Sequence, residues 1–440
     1  MPDLAEFGNS LDGELFSPDS PGYEAVRRPA SPACREVRPR LVVLCCSVSD
    51  VARVLTYATA TGDRIAPRSG GHCFAGRSST DGIVLDTSGL DGICVADDRA
   101  ATIGAGARLE QVYGALHAYG RTLPAGCGPT VGLTGLTLGG GIGLLGRKHG
   151  LTCDRLTGAQ VVLPDGSVVD CDHDHEPDLF WALRGAGGGQ FGVVTSLRFD
   201  TVPEPMTTRI EAHWPDAALG ELVSAWQAWA PDAPDELTVN LTLVSEPGAP
   251  VQTTLFGAAT LGEGPTRELL REFTDRAGVA PTIELRTGLP YHHLKSTFAD
   301  PRDLPERAVR LRSEFFSHAI SDRTLASLLT QLGAPRTIGR RQLTFTAMGG
   351  AYNRVAEDAT AFAHRGERFL LEHIGDPADP WVDRSWATAH TEGSGRVYPN
   401  FPDPQLDDWA AAYHAGNYPR LAAVKTAYDP HRFFDFPQAI

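Results

Sequence analysis

The sequence contains no apolar run approaching the ~18 residues that cross a bilayer. Its opening, MPDLAEFGNSLDGELF, is acidic and has neither the basic n-region nor the apolar h-region of an export signal. A membrane-spanning or exported chain is therefore not expected. Cysteine is missing after position 171: all eight fall between Cys34 and Cys171, with no CxxC pair and no spacing of a disulfide framework. That pattern predicts reduced thiols and a cytoplasmic protein. Positive charge is also short, since 39 Lys and Arg against 54 Asp and Glu leave a net −15. Such a surface repels phosphate backbones and anionic head groups, so neither nucleic acid nor membrane is an expected partner. Internal repeats and low-complexity segments are absent. So is a G-x-S-x-G elbow, which leaves Ser69 without the context of a hydrolase nucleophile.

What the chain does have is length and turns. Its 440 residues, 47 of them Gly and 32 Pro, leave room for two or three domains and a sizeable core. In the first half strands and helices interleave. RLVVLCCS (40–47) reads as a buried strand, and Ser47 with Asp50 resembles a capping box for a helix striped by Val51, Val54, Leu55 and Ala58. Further strands are expected at 64–68, 83–86, 92–96 and 102–105, a helix through Leu109, Val112 and Leu116, and a hairpin around Pro164-Asp165-Gly166-Ser167. A helix at 178–183 and a strand at 193–199 close the region. The Pro-rich segment 201–205 reads as a boundary. Beyond it, strand patterns at 207–215, 237–244, 251–260 and 342–347 alternate with helical stretches at 217–229 and 265–277, which gives a second α+β unit.

Glycine clusters three times in one half: Gly70-Gly71, Gly132 to Gly146, and Gly185 to Gly192. Two strings, Gly141 to Gly146 and Gly187 to Gly192, fit G-x-G-x-x-G, yet neither follows a strand and opens a helix as a dinucleotide fingerprint must. Backbone without Cβ atoms lets a large ligand approach and offers it N–H groups. Three such clusters suggest a long cofactor laid across several loops.

RSGGHCFAGRSS (68–79), GLTGLTLGGGIGLLGRKHGLTCD (132–154), DLFWALRGAGGGQFGVVTSLRF (178–199), YPNFPDP (398–404) and YHAGNYPRLAAVKTAYDPHRFF (413–434) together resemble the berberine-bridge-enzyme-like FAD oxidases, in order and over nearly the whole chain. The resemblance implies an α+β, two-domain fold of the vanillyl-alcohol-oxidase (PCMH-type) FAD-binding kind. Residues 30–205 would form the FAD-binding domain, 206–395 a separate substrate domain of antiparallel sheet with helices, and 396–440 a C-terminal return to the FAD domain. It also implies cofactor contacts from Arg68, Ser69, Gly70, Gly71 and Gly76, from Gly132, Gly135, Leu136 and Gly141, and from Gly192 and Val194.

By the same resemblance His72 is bonded to the flavin 8α-methyl carbon, a role a neutral imidazole can fill as nucleophile. Relatives with a second bond, from Cys to flavin C6, carry that Cys directly before Pro. Here Gly128 stands in that place and Cys127 one residue earlier, which favours a single histidyl link and leaves a second through Cys127 open. Tyr398 matches the family tyrosine assigned as substrate base, and Asn400, facing the same way in extended chain, matches the residue at the isoalloxazine edge. A free phenol titrates near ~10, so a base needs a cation or hydrogen-bond donor beside it; Tyr352, His292, His293, Arg310 and Lys425 are the groups considered. Thr137 stands where the family residue beside the oxygen-reacting carbon controls access of O2. No metal site is expected: Asp172 to Glu176 reads as a solvated loop, and His292-His293 point to opposite faces if extended.

These features together imply an FAD-dependent oxidase. It would move a hydride from an alcohol, phenol or glycoside carbon of a small molecule, such as a secondary metabolite, to flavin N5, with O2 as acceptor and hydrogen peroxide as product. The alternatives are an oxidative cyclase on the same flavin, a carbohydrate oxidase, an NAD(P)-dependent dehydrogenase and a non-catalytic flavoprotein. Monomer and homo-oligomer stay equally open.

Overall fold

The structure is a computed structural model describing residues 3–96, 99–214, 219–298 and 308–440. Local chemistry accounts for its first elements. Strand Leu41–Leu44 leads into helix Val48–Thr61, where Ser47 Oγ accepts the Asp50 N–H at 3.1 Å and the Asp50 carboxylate accepts the Ser47 N–H at 3.2 Å. That is the reciprocal cap expected from sequence. Val51, Val54, Leu55 and Ala58 are fully buried, and Gly62, at φ +73°, ends the helix in the left-handed conformation.

Among the described residues, Glu14–Phe16, Leu41–Leu44, Ile83–Asp86 and Ile65–Arg68 form a four-stranded sheet in that spatial order, parallel except at its first pair. A five-stranded antiparallel sheet runs Ile93–Val95, Ala100–Gly104, Val193–Asp200, Leu156–Val162, Val168–Cys171. Its last pair is the expected hairpin, with Val162 opposite Val168. These two sheets carry the glycine clusters and make up the glycine-rich half.

The other half is a seven-stranded antiparallel sheet in the order Thr282–Pro290, Met206–Trp214, Gln252–Ala259, Leu237–Ser245, Arg341–Ala347, Phe369–Gly375, Arg310–Phe316. Four of these strands follow the expected patterns; Pro215 and residues 217–218 of the expected elements lie outside the described residues. Thr282–Pro290, Arg310–Phe316 and Phe369–Gly375 were not expected from sequence. Two of them hide polar groups where an alternating pattern calls for apolar ones: Glu314 and His373 are wholly buried.

Alternation along the central strands separates the two faces of this sheet. Leu237, Val239, Leu241 and Leu243, with Leu343 and Phe345 beside them, point into a core closed by helices Leu219–Trp229, Glu263–Ala277, Asp322–Gly333 and Trp381–His390. Thr238, Asn240 and Thr242, with Gln342, Thr344 and Thr346, point the other way, toward the glycine-rich half. No described helix is long and apolar enough to cross a membrane.

Arg147, in the short helix Gly146–His149, joins the halves. Its buried guanidinium donates to the carbonyls of Leu237 (2.9 Å), Pro231 (2.8 Å), Ala233 and Met348, all on the large-sheet side. Arg365 adds a two-pronged bond to Asp154, at 2.6 and 2.9 Å. The C-terminal segment returns through helix Tyr418–Tyr428, whose Lys425 donates to the carbonyls of Gln190 (2.6 Å) and Phe434 (2.8 Å).

Arg147→Met keeps the length of the side chain and strips four buried carbonyls of their donor. Each buried acceptor left without a partner costs roughly 1–3 kcal/mol, so the variant should be destabilised by at least about 3 kcal/mol, read as a lower urea midpoint. An unchanged midpoint would show that the guanidinium adds nothing net.

Candidate active site

Between the glycine-rich half and the polar face of the large sheet lies a cavity of about 1350 Å³. Its cofactor side depends on glycine. A Cβ on Gly70 would stand 2.2 Å from the Gly132 nitrogen, and one on Gly132 would stand 2.2 Å from Ser69 Oγ, so loops 68–72 and 130–135 pack backbone against backbone. At Gly135, also on the wall, a Cβ would meet nothing within 4 Å and would project into the open space. Four buried polar atoms on this wall have no partner: Arg77 Nε, Ser78 Oγ, Ser79 Oγ and Thr134 Oγ1. Orphaned polar groups beside glycine-floored space fit a large polar cofactor such as FAD.

The structure sorts the residues expected to hold the cofactor. Arg68, Ser69, Gly70, Gly71, His72, Gly76, Cys127, Gly132, Gly135, Leu136, Gly192, Val194, Tyr398 and Asn400 all lie on the cavity wall. Arg68 shapes the wall without offering its charge to a ligand, because its guanidinium is spent on the carbonyls of Ser78, Val26 and Arg27. Gly141 is off the wall and donates instead to Tyr398. Thr137, expected beside the flavin, is placed differently from its neighbours in the motif. It is fully buried in helix Leu133–Leu138, its hydroxyl donates to the Leu133 carbonyl at 2.8 Å, and it is not on the cavity wall. Its hydroxyl is thus turned to its own helix rather than to the cavity.

His72 Nε2 lies 2.9 Å from Thr130 Oγ1. Burial first, and the Arg108 charge second, push its pKa below the usual histidine value, which keeps the imidazole neutral and nucleophilic. Cys127 stays on the wall despite its one-residue displacement. Its sulfur, however, is turned onto Lys295, whose Nζ is 3.1 Å away and also donates to the Ala125 carbonyl at 3.1 Å. Lys295 is buried between the rings of Tyr113 and Tyr291, and burial pushes its ammonium below the ordinary lysine value. Sequence reasoning did not find Lys295, since a lone lysine in helix Tyr291–Phe298 gives no local signal of such a partner.

The phenolic oxygen of Tyr398 accepts three hydrogen bonds, from Asn400 Nδ2 (2.9 Å) and from the N–H groups of Ile142 (3.0 Å) and Gly141 (3.2 Å). Segment 398–401 is a turn rather than extended chain, closed by the Phe401 N–H on the Tyr398 carbonyl at 2.8 Å. Asn400 reaches Tyr398 because of that turn, and its Nδ2 also donates to the Leu136 carbonyl at 2.9 Å. A neutral phenol has two lone pairs and a proton, whereas a phenolate has three lone pairs, so three donors suit the anion. Burial works against them and pushes the pKa up to about 12.

None of the groups considered from sequence as activators hydrogen-bonds to Tyr398. Tyr352 bonds to Gly143 through both N–H and C=O, Arg310 pairs with Asp403 and Asp383, and Lys425 is held by Asp429. His292 and His293 sit in helix Tyr291–Phe298 and are not on the cavity wall, so the opposite-face geometry considered for extended chain does not apply.

Opposite the glycines, the sheet contributes hydroxyls and amides. Thr242 lies across from Thr344, their hydroxyl oxygens 3.2 Å apart, and Thr344 lies across from Glu372. Glu372 is on the cavity wall, where burial raises its carboxyl to about 7, partly offset by the Thr346 hydroxyl. It was not singled out from sequence, because strand 369–375 itself went unrecognised.

Comparison with known proteins agrees with this geometry. The model of the FAD binding domain matches residues 39–172, and that of the "Berberine and berberine like" family matches residues 397–440. YgaK of Bacillus subtilis, an uncharacterized FAD-linked oxidoreductase, is 33% identical over 98% of this chain and 97% of that one. The solved structure of BBE-like 1 from Physcomitrella patens superposes with a TM-score of 0.90 at 25% identity, over 100% of this chain and 99% of that one. A glucooligosaccharide oxidase of Acremonium strictum, described as carrying 6-S-cysteinyl, 8α-N1-histidyl FAD, gives 0.88 at 25% identity, over 98% and 97%.

Glu372 yields a pH prediction. Between ~4.5, where the unfolded chain loses this proton, and about 7, the fold keeps it, so rising pH removes stability over that window. Buried neutral His364, His373 and His414, all held near 3, impose the opposite slope. The diagnostic is therefore a difference between proteins: from pH 5 to pH 7.5 the urea midpoint of Glu372→Gln should rise relative to wild type. Parallel pH profiles would place the Glu372 carboxyl at an ordinary value.

Proposed function

We propose, for a chain that belongs to the berberine-bridge-enzyme-like family of FAD-linked oxidoreductases, an oxidase that acts on a neutral, hydroxyl-rich small molecule such as a glycoside. The observation that carries this reading is the Tyr398 oxygen, held by three donors on a cavity whose opposite wall is a lattice of Thr, Asn and Gln side chains. FAD, when bound, supplies the hydride acceptor and passes the electrons to O2, giving hydrogen peroxide.

The chain supplies position and proton handling. Tyr398 takes the proton of the reacting substrate hydroxyl, and Asn400 with the N–H groups of Gly141 and Ile142 holds the phenol oxygen in place as charge develops on it. The sheet wall offers paired donors and acceptors to substrate hydroxyls. Among the described residues it presents no Lys or Arg there to recruit an anionic substrate, and one carboxylate, Glu372, provides a second proton acceptor. His72 anchors FAD at the 8α carbon: in the tautomer whose Nε2–H donates to Thr130 Oγ1, 2.9 Å away, Nδ1 keeps the lone pair that makes the bond. Because the sulfur of Cys127 is turned to Lys295, a single histidyl link is the form proposed.

Acid precipitation followed by peptide mapping tests the anchor. Wild type should retain flavin on the His72 peptide, His72→Ala should release it to the supernatant, and Thr130→Val should lower the covalent fraction. A crosslinked pair of peptides through Cys127 would overturn the single link. Tyr398→Phe tests the base: flavin loading should survive, while anaerobic bleaching of the flavin by a glycoside substrate should slow roughly 10²–10⁴-fold. Near-normal bleaching would move the base to Glu372.

A further inference from the structure

Away from the cavity, three side chains from three separate elements meet at the junction of the two halves. His117 ends helix Leu109–His117, Glu204 follows the short strand Val202–Pro203, and His292 is the second residue of helix Tyr291–Phe298. His117 Nδ1 lies 2.6 Å from Glu204 Oε2, and His292 Nδ1 lies 3.1 Å from Glu204 Oε1. The two imidazoles stack with centroids 3.5 Å apart and planes 27° apart. Among the described residues this is the one group of three or more His, Cys, Asp or Glu side chains whose ligand atoms all lie within 4.8 Å of one another.

We propose that His117, Glu204 and His292 bind a divalent transition-metal ion, of which Zn²⁺ fits best, with water completing a tetrahedron. Two imidazole nitrogens and one carboxylate form a borderline donor set that suits Zn²⁺ over Mg²⁺ or Ca²⁺, which prefer all-oxygen ligands. At bond lengths of roughly 2.0–2.2 Å, two donors at a tetrahedral angle stand about 3.4 Å apart. The candidate ligand atoms already lie within 4.8 Å of one another, near enough for side-chain rotation to set that spacing around one carboxylate oxygen. The carboxylate is the fixed member: its side chain is only 6% exposed, Oε1 also accepts the His292 N–H at 2.8 Å, and the Glu204 N–H donates to the Gly120 carbonyl. The His117 and His292 side chains, 42% and 31% exposed, can turn to meet an ion.

Such an ion would fasten the helix of the glycine-rich half to the helix of the large-sheet half across segment 201–205. The same Tyr291–Phe298 helix carries Lys295, which touches Cys127 and Ala125 behind the cavity wall. Fixing its outer face would steady its inner one. His292 thus finds its partners far away in sequence, not in the neighbouring His293, which is exposed and whose ring centroid is 6.3 Å from that of His292.

The test titrates chelator-treated, full-length holoprotein with ZnCl2 by calorimetry and follows thermal unfolding with and without the ion. Wild type should bind one Zn²⁺ per chain and unfold at higher temperature with it. His117→Ala and His292→Ala should each weaken binding at least about tenfold, and the double variant should abolish it. His117→Gln retains a hydrogen-bond donor for Glu204 but removes the imidazole, so it should lose Zn²⁺ with little loss of metal-free stability. Absence of saturable binding by wild type overturns the proposal, and so does unchanged affinity in the double variant.

Discussion

Arg147 stands where the glycine-rich half meets the large sheet, and its guanidinium is shared among four carbonyls that belong to the other side. A buried cation without a carboxylate partner is tolerable only when carbonyl dipoles surround it. It therefore fixes those four backbone positions relative to its own helix. The helix in turn is pressed against the large-sheet half: a Cβ on Gly146 would stand only 1.7 Å from Tyr352 Oη, and that hydroxyl bonds to both backbone groups of Gly143. Two residues before Gly143 begin the N–H groups that hold Tyr398. The spacing of the halves and the placement of the phenol oxygen thus follow from one contiguous chain of contacts.

In the proposed mechanism that arrangement is what would let a tyrosine act as a base in a buried site. Among the described residues no formal cation hydrogen-bonds to Tyr398; two backbone N–H groups and one carboxamide stand where a lysine or arginine could. Fixed dipoles exact no reorganisation as charge develops and do not compete with a substrate for ion pairing. The aromatic rings of Phe401, Phe362 and Phe315, centroids 5.0, 6.2 and 6.3 Å from that of Tyr398, hold the phenol in one orientation. Burial among them raises the pKa, so in the proposed reaction substrate and cofactor would contribute the rest of the driving force for proton transfer.

The large sheet uses its two faces differently. One closes a conventional core of Leu, Phe and Trp; the other is roofed by the glycine-rich half, so its Thr and Asn side chains are enclosed without being packed in hydrocarbon. Polar alternation in a strand ordinarily marks a solvent face. Here it marks a cavity face, and the paired hydroxyls of Thr242 and Thr344 show how strand register converts that alternation into a two-dimensional array of donors and acceptors.

Local chemistry was legible in the chain. The Ser47–Asp50 cap, the hairpin at 163–168, the strand at 83–86 and the glycine clusters are short-range patterns whose physics needs few distant partners, and motif order alone brought His72, Tyr398 and Asn400 into one expected site. Patterns failed where burial and polarity were decoupled by contacts far along the sequence. Glu314 and His373 disguised two strands because distant neighbours shelter them. Thr137 was expected beside the flavin from its place in the glycine-rich motif, and helix geometry turns its hydroxyl back to Leu133. Lys295 beside Cys127, Glu372 beside Thr344, and His292 beside His117 and Glu204 are separated by between 28 and 175 positions, with no local periodicity to connect them. Side-chain pairing over such separations depends on how sheets and helices pack. Packing is a property of the whole chain, since only the complete set of buried surfaces fixes which distant atoms come within bonding distance.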